Sequence, residues 1–198
     1  MDLWEDATGR FLRVTDYKTG QKKFDYCDIS QGIGLQMLLY LFALGHGGRD
    51  LFGEGLRPGG VEYFPARAPY LKADAPLDPA EAEEERVKAF SRSGLFLEDR
   101  RVLGAMEPEG LGDRLPVVEK KDGSLTGSLD TSEQFRLLEG YVFHLLADMV
   151  SEIASGSVSP NPYSRGTAHD ACRFCPYAPV CHPEKEAQRR NYLSLIHI

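Results

Sequence analysis

An aspartate and a lysine with one residue between them form the pattern in this sequence that is best suited to chemistry. Asp16 and Lys18 fall at the end of a segment from Phe11 to Tyr17 in which apolar and polar residues alternate, and this alternation predicts a β-strand. Side chains two residues apart on a strand project to the same side. A carboxylate that can bind a divalent cation therefore lies beside an ammonium group, a combination that suits phosphodiester hydrolysis. Because Asp-x-Lys is common by chance, a surface ion pair is the alternative.

A glutamine and a tyrosine, four residues apart, form the second pattern. Gln36 and Tyr40 lie in a segment that is apolar nearly all round and predicts a buried helix from Ser30 to Gly45. Because residues four apart share one face of a helix, both side chains can reach toward the strand end that carries Asp16. The alternative is that Tyr40 belongs to the core and Gln36 is a tolerated polar neighbour.

Cysteines form the third pattern, since three of the four lie within ten positions, at Cys172, Cys175 and Cys181. The C-x₂-C step lets two thiolates hold one centre from a tight turn, and the third cysteine follows closely enough to converge with them. Without an export signal, structural disulfides are not expected. The pattern predicts a metal centre, and a zinc site completed by His169 or His182 is one form of it.

Strands and helices that the sequence predicts must position these residues. Asp2 to Trp4 predicts part of a second strand, followed by a turn up to Gly9. The other predicted elements are a short strand from Gly60 to Pro65, which Pro65 confines to an edge or an end, a helix from Asp78-Pro79 to about Phe90, a strand from Leu115 to Lys120 with a turn after it, and a long helix from the capping-box-like Asp130-Thr-Ser-Glu133 to Gly156.

Composition and charge restrict the class of protein. The 198 residues are 42% hydrophobic and 27% charged, as in one globular domain, and the formal net charge of −7 argues against a chain that binds DNA mainly through a basic surface. No apolar stretch approaches the roughly 18 residues that a membrane-spanning helix needs, and the first residues lack the features of a signal peptide. A cytoplasmic protein with no membrane contact is therefore expected.

The order of the three patterns resembles that of the RecB-type nuclease family and, within it, of the AddB-type subunits of AddAB helicase-nucleases. D-Y-K-T-G is followed by Q-x₃-Y in an apolar helix and then by a distal C-x₂-C-P-Y-x₃-C, and the resemblance extends from Asp2 to Tyr192. It implies an α/β, restriction-endonuclease-like PD-(D/E)xK core, here partial, with helical additions and a C-terminal cysteine-cluster segment. We assign residues 1–156 to the partial nuclease domain and 157–192 to the connector and cluster segment. Residues 193–198 match what a sequencing adapter encodes and are expected to be a non-native tail.

The resemblance also implies an activity and partners. It implies a Mg²⁺-dependent exonuclease that degrades the single DNA strands unwound by an ATP-driven helicase during double-strand-break repair by recombination. An AddA-type helicase-nuclease subunit is the implied heterodimer partner, and a [4Fe-4S] cluster would hold the ends of the domain together. The residues that match family positions are Asp16 as metal ligand, Lys18 as catalytic lysine, Gln36 and Tyr40 as the Q-x₃-Y element, and Cys172, Cys175 and Cys181 as cluster ligands.

Two family features are missing from the sequence. The second metal-binding aspartate of the family lies in a G-x-I-D-R-x-D pattern just before the strand, and Asp2 resembles only the tail of that pattern. The fourth cluster cysteine normally lies well upstream, and Cys27 is expected to be an ordinary cysteine. The metal site and the cluster are therefore expected to be incomplete in this chain, and the isolated chain is expected to be inactive.

Two other interpretations fit part of the sequence. A non-catalytic, zinc-bound DNA-binding or scaffold module accounts for the cysteines without an upstream ligand, but it leaves the order of D-Y-K and Q-x₃-Y unexplained. A stand-alone, Cas4-like exonuclease shares that order. The long segment between the Gln36 helix and the cysteines, together with the match at Pro58 to Phe64, favours the AddB-type interpretation.

Overall fold

The structure is a computed structural model that describes residues 1–20, 22–67, 78–108, 110–112, 114–158, 161–165, 170–181 and 190–191. The chain divides into two compact units, one made of Met1–Phe24 and Gly34–Val142 and the other of Asp25–Ile33 and Phe143–Ile198. The predicted functional division between residues 156 and 157 stays a prediction. Where the chain is described, no helix combines the length and the apolar character needed to cross a membrane.

Helices and strands alternate irregularly along the chain, and we number each class in chain order. The strands are β1 (Asp2–Asp6), β2 (Gly9–Lys18), β3 (Leu56–Pro65), β4 (Ser93–Leu97), β5 (Val117–Glu119), β6 (Leu125–Gly127), β7 (Leu129–Asp130), β8 (Tyr163–Ser164) and β9 (Arg190–Asn191). The helices are α1 (Tyr26–Ser30), α2 (Gln36–Gly47), α3 (Arg49–Phe52), α4 (Pro79–Ala89), α5 (Arg100–Met106), α6 (Ser132–Ala154) and α7 (Ala178–Cys181).

A mixed five-stranded sheet forms the centre of the first unit, with the strand order β1-β2-β3-β4-β7. The predicted hairpin of β1 and β2 is confirmed, and Asp6 closes its turn by accepting hydrogen bonds from the backbone N–H groups of Thr8 and Gly9. β2 and β3 run parallel, so their carboxyl ends meet at one edge of the sheet, and α2, which connects them, packs on both. This mixed α/β sheet confirms the predicted fold class.

β3 and β4 approach each other closely at the centre of the sheet. β3 begins four residues earlier than predicted, at Leu56, and its last residue is Pro65, where the missing backbone N–H interrupts no ladder within the strand. β4 was not predicted from the sequence. Its Gly94 pairs with Glu62, and a Cβ atom there would collide with the carbonyl oxygen of Val61.

Two predicted helix starts are corrected by the structure. Ser30 ends the short helix α1 instead of beginning α2, because Gly32 and Gly34 take backbone φ angles of 79° and 73° and break the helical path before Gln36. At α6, the reciprocal capping bonds join Thr131 and Gln134, one residue later than the predicted pair.

The long helix α6 ends at Ala154, close to the predicted stop at Gly156, whose φ of 71° is left-handed. The sequence predicts one apolar face on this helix, which the structure confirms in part; the predicted residues are Leu138, Tyr141, Val142, Leu145, Met149 and Ile153. Leu138 and Val142 are buried, whereas Tyr141 and Ile153 are exposed.

Candidate active site and cysteine segment

Asp16 and Lys18 lie at the carboxyl end of β2, beside the end of the parallel strand β3. The Nζ atom of Lys18 is 2.5 Å from Oδ2 of Asp16, and the side chains of the lysine and the aspartate remain 38% and 26% exposed. The strand therefore places both groups on one side, as the spacing predicts. Because both are partly open to solvent, the carboxylate can exchange its lysine partner for another cation.

Tyr63 is the residue of β3 that pairs with Asp16. Burial raises the pKa of the Tyr63 hydroxyl, and the negative charge of Asp16 raises this pKa further. The phenol therefore stays protonated beside the carboxylate over the physiological pH range. It adds a neutral donor, and no competing charge, to the surroundings of Asp16.

Glu62 is a buried carboxylate that sequence reasoning did not identify. It is 1% exposed, and it accepts hydrogen bonds from Nη1 of Arg92 at 2.9 Å and from the Thr15 hydroxyl at 3.2 Å, while Nη1 of Arg13 lies 3.3 Å away. Arg13 and Thr15 alternate with the residues of β2 that flank them, so this network lies on the face opposite Asp16. The only sequence signal is a lone glutamate within the apolar run Val61 to Phe64.

Asp2 does not join Asp16 in the structure. It pairs with Arg13 across the β1–β2 hairpin, and its Oδ2 atom is 2.7 Å from Nη2 of the arginine. Because Arg13 is three residues before Asp16, Asp2 lies about 10 Å away along the strand and on the opposite face. In this arrangement Asp2 and Asp16 do not form one ligand set, and the identity of the second metal ligand stays a prediction.

Gln36 and Tyr40 share an exposed face at the start of α2. The Nε2 atom of Gln36 donates a hydrogen bond to the Tyr40 hydroxyl at 3.1 Å, and 51% of Tyr40 is exposed. The helix uses its other side for packing, where Met37 and Leu38 are buried. The alternative that placed Tyr40 in the core is wrong, and the role of the pair in catalysis stays a prediction.

A pocket of about 340 Å³ opens where β2 and β3 end and β4 begins. Lys18 belongs to its lining, so the pocket adjoins the Asp16–Lys18 pair. Three further cations line it, namely Lys22, Lys23 and Arg92, and no carboxylate does so among the lining residues that the structure describes. The pocket is thus a cationic site within a chain of net charge −7.

Ion pairs of the second unit fix the polypeptide that leads into the cysteines. The Tyr163 hydroxyl donates to Oδ1 of Asp28 at 3.1 Å, and Nη1 of Arg165 donates to Oδ2 of Asp25 at 2.5 Å. Partial burial acts to raise the pKa of Asp25, but the hydrogen bonds from Arg165 and from the Cys27 backbone outweigh it and lower this pKa overall. The segment before the cysteines is therefore attached to the α1 region through charged side chains.

The three cysteines lie in successive turns. The Cys172 backbone N–H donates to Asp170, the Cys175 N–H donates to the Cys172 carbonyl at 3.2 Å, and Cys181 ends α7. Cys172 and Cys175 are half-buried and Cys181 is exposed.

These thiols have not converged on a common centre. Within the described ranges, no group of three or more histidine, cysteine, aspartate or glutamate side chains is arranged to hold a metal ion. His169, His182 and residues 193–198 lie outside the described residues. The identity of the group that the cysteines bind therefore stays a prediction.

Comparison with known proteins extends the similarity over nearly the whole chain. A sequence model of the PD-(D/E)XK nuclease superfamily matches residues 1–182. An ATP-dependent helicase/deoxyribonuclease subunit from Acetivibrio thermocellus is 36% identical over 91% of this chain, and the corresponding protein of Pelotomaculum thermopropionicum is 38% identical over 87%. That of Ruminiclostridium cellulolyticum is 32% identical over 100% of the chain.

The relatives are much longer than this chain. The three matches cover 16%, 15% and 17% of the respective relatives. The chain therefore spans about one sixth of the length of the relatives that it matches.

Proposed function

The chain belongs to the PD-(D/E)XK nuclease superfamily, and from this premise we propose that it hydrolyses phosphodiester bonds of DNA as the nuclease domain of an AddB-type helicase-nuclease subunit. The observation that carries the proposal is the partly exposed Asp16–Lys18 pair, 2.5 Å apart at the end of β2, in a chain that resembles deoxyribonuclease subunits over nearly its full length. The Cas4-like alternative shares this chemistry and differs in the partners of the intact protein.

Asp16 would hold Mg²⁺ in this reaction. Magnesium is commonly bound through one or two carboxylates together with waters and substrate phosphates, so a single partly exposed carboxylate fits part of such a site. When bound, the ion supplies Lewis-acid polarisation of the phosphate and lowers the pKa of a coordinated water. A second carboxylate of the intact protein would complete the ligand set, since Asp2 is held by Arg13.

Lys18 would act on the substrate instead of on the ion. Its ammonium group has three N–H donors, which can orient the attacking water or stabilise the charge that develops on a phosphate oxygen. The hydrogen-bonded pair of Gln36 and Tyr40 would position the DNA strand, because an exposed amide and phenol offer both donors and acceptors to phosphate and sugar oxygens. The network around Glu62 supports β2 from the opposite face.

The cysteine segment would bind a [4Fe-4S] cluster through Cys172, Cys175 and Cys181. Three thiolates in successive turns suit the donor set of such a cluster, with a fourth cysteine supplied by the intact protein. When bound, the cluster supplies cross-linking energy between distant parts of the chain and no step of hydrolysis. A zinc ion, completed by His169 or His182, is the competing occupant.

The intact protein would act on single strands released from duplex DNA by ATP-driven unwinding, together with an AddA-type partner, in double-strand-break repair. The names of the relatives, which combine helicase and deoxyribonuclease, support this part of the proposal. The family resemblance of the D-Y-K and Q-x₃-Y order supports exonucleolytic cleavage as part of the proposal.

The test is Asp16→Asn in the full-length protein, with the nuclease of any partner subunit inactivated. Loss of a metal ligand should abolish Mg²⁺-dependent cleavage of a labelled single strand while ATP-driven unwinding continues. Asp148→Asn, a change at an exposed aspartate of α6, is the matched control and should cleave normally. Cleavage by Asp16→Asn at the wild-type rate would refute the proposed function.

A further inference from the structure

We propose that the pocket beside Lys18 is a subsite for one unpaired nucleotide of a DNA single strand. The inference rests on the proposed function and extends it, because it assigns residues that select single strands over duplex DNA. The pocket lies where the ends of β2 and β3 meet the start of β4. Lys18 both lines this pocket and pairs with Asp16. A strand whose phosphate reached Lys18 would therefore place a neighbouring nucleotide at this pocket.

The charge of the pocket supports an anionic ligand. Lys18 is paired with Asp16, and Arg92 is paired with Glu62, so the positive charge of each is largely balanced. Lys22 and Lys23 are exposed, and within the described part of the chain neither forms an ion pair. These two ammonium groups are the uncompensated cations of the pocket, and phosphate neutralisation by lysine is the main source of affinity for nucleic acid backbones.

The aromatic lining supports a nucleobase beside that phosphate. Phe24, Tyr63 and Phe64 contribute to the pocket wall. The guanidinium carbon of Arg92 lies 4.8 Å from the ring centroid of Phe64, and the Tyr17 ring lies 5.2 Å from the same ring, so Phe64 is held in place. Aromatic side chains combined with a cationic groove are the features that bind single strands, because every unpaired base has a π-face to stack.

The pocket wall is tied to the sheet by side-chain hydrogen bonds. The Ser93 hydroxyl donates to the carbonyl of Lys22, which attaches the loop carrying the two uncompensated lysines to the start of β4. The Ser128 hydroxyl donates to the carbonyl of Gly94 on the same strand. A preformed volume of about 340 Å³ accepts an unstacked base, whereas a base that is paired and stacked in a duplex cannot enter it.

The first test compares two double variants of the 198-residue chain. Binding of fluorescent oligothymidine, and of a duplex of the same length, is measured by anisotropy in EDTA, so that no cleavage occurs. Lys22→Gln with Lys23→Gln should weaken single-strand binding about tenfold and lower the slope of log Kd against log salt by about 1.4, since each lost phosphate contact contributes roughly 0.7. The matched control, Lys120→Gln with Lys121→Gln, removes two adjacent exposed lysines from the β5–β6 turn and should leave both values unchanged.

A second measurement uses the wild-type chain and tests the aromatic wall. An oligonucleotide with abasic sites in place of bases should bind about tenfold more weakly than oligothymidine, because it retains the phosphates and loses the stacking. Phe24→Leu keeps apolar volume and removes the ring. This variant should therefore bind oligothymidine only about as tightly as it binds the abasic oligonucleotide. In the full-length protein, the Lys22 and Lys23 double variant should raise the KM for single-strand cleavage about tenfold, and the control should not.

The outcomes separate the subsite from the proposed function. Wild-type affinity in the Lys22 and Lys23 double variant, or duplex binding as tight as single-strand binding, would overturn the subsite even if Asp16→Asn abolishes cleavage. Conversely, if Asp16→Asn cleaves normally but single-strand binding depends on the two lysines and on the bases, the subsite stands and the assigned nuclease chemistry fails.

Discussion

At the scale of single residues, the two faces of β2 have different tasks. One face carries Asp16 and Lys18, which remain partly open to solvent and can meet a cation and a phosphate. The other carries Arg13 and Thr15, which hold the buried carboxylate of Glu62. Period-two alternation thus lets one strand combine an accessible carboxylate–ammonium pair on one face with a buried ion-pair network on the other.

Replacing Lys18 by alanine should separate catalysis from metal binding. Loss of the ammonium group removes one stabilising donor and should lower kcat for Mg²⁺-dependent cleavage roughly a hundredfold. The Mg²⁺ concentration that gives half-maximal activity should change little, because Asp16 is retained. Lys88→Ala, which removes a lysine of α4 that is also paired with a carboxylate at 2.7 Å, is the control and should be fully active. An equal loss of Mg²⁺ affinity in Lys18→Ala would contradict the role assigned to this lysine.

Replacing Glu62 by glutamine should mainly destabilise the fold. It leaves Arg13 and Arg92 facing a neutral, buried side chain, and breaking a buried pair in this way costs about 3 kcal/mol of unfolding free energy. Urea unfolding followed by circular dichroism measures the change. Glu98→Gln, at an exposed position just after β4, should change stability by less than about 0.5 kcal/mol. Equal stability of the two variants would show that the ion pairs of Glu62 contribute nothing to the free energy of unfolding.

The contact between Asp16 and Lys18 could be predicted from the sequence, and the network around Glu62 could not. Asp16 and Lys18 are recognisable by their spacing within an alternating strand, because the period fixes their common side. Glu62 lies in a run of apolar residues, and only the pairing of β2 with β3 shows that two arginines from distant parts of the chain reach it. A single buried charge of this kind depends on tertiary contacts that local patterns do not contain.

At the scale of elements, the parallel pairing of β2 and β3 through α2 positions the site. Strong local signals made β2 and α4 predictable, because alternation marks the strand and Asp78-Pro79 provides a capping box with proline in the first turn. The predicted start of α2 was wrong because the two glycines before Gln36 override the capping signal of Ser30. β4 is a short, fully internal strand, and so it offered no alternation to detect.

Two glycine substitutions should change stability in opposite directions. Gly94→Ala places a methyl group against the Val61 backbone, where β3 and β4 are closest, and should destabilise the chain by about 2 kcal/mol. Gly104→Ala lies inside α5 with open space around it and should stabilise by about 0.5–1 kcal/mol through helix propensity. Thermal unfolding of both variants measures the difference. An unchanged unfolding temperature for Gly94→Ala would mean that β3 and β4 can move apart at this point without loss of stability.

At the scale of the whole molecule, the distribution of charge matters more than its total. A net charge of −7 argues against a broad basic DNA surface, yet four cations, including the Lys18 that pairs with Asp16, line one pocket. A local concentration of one sign within an acidic surface focuses the field at the site and repels phosphate elsewhere. Composition alone could not reveal this, since it contains no information on which lysines the fold brings together.

The cysteine segment leads to a prediction about the intact protein. Under anaerobic conditions the full-length protein should contain about four irons and four sulfides and absorb in the visible range, since a [4Fe-4S] cluster is held by cysteine thiolates. Cys175→Ser should lose the iron and lower the unfolding temperature, because binding of the cluster is coupled to folding. Cys27→Ser changes a half-buried cysteine of α1 outside the cluster pattern and should keep the iron.

Other results of this metal determination would assign the cysteines differently, because a zinc ion and a [4Fe-4S] cluster use different donor sets. One zinc and no iron would assign the three thiolates and a histidine to a zinc site, and the segment would then need no ligand from elsewhere in the protein. Neither metal, with unchanged stability of Cys175→Ser, would mean that the three cysteines bind no metal centre in the intact protein. If the wild-type protein contains iron but Cys175→Ser is equally stable, cluster binding does not contribute to folding. The cluster would then no longer explain how the ends of the domain are held together.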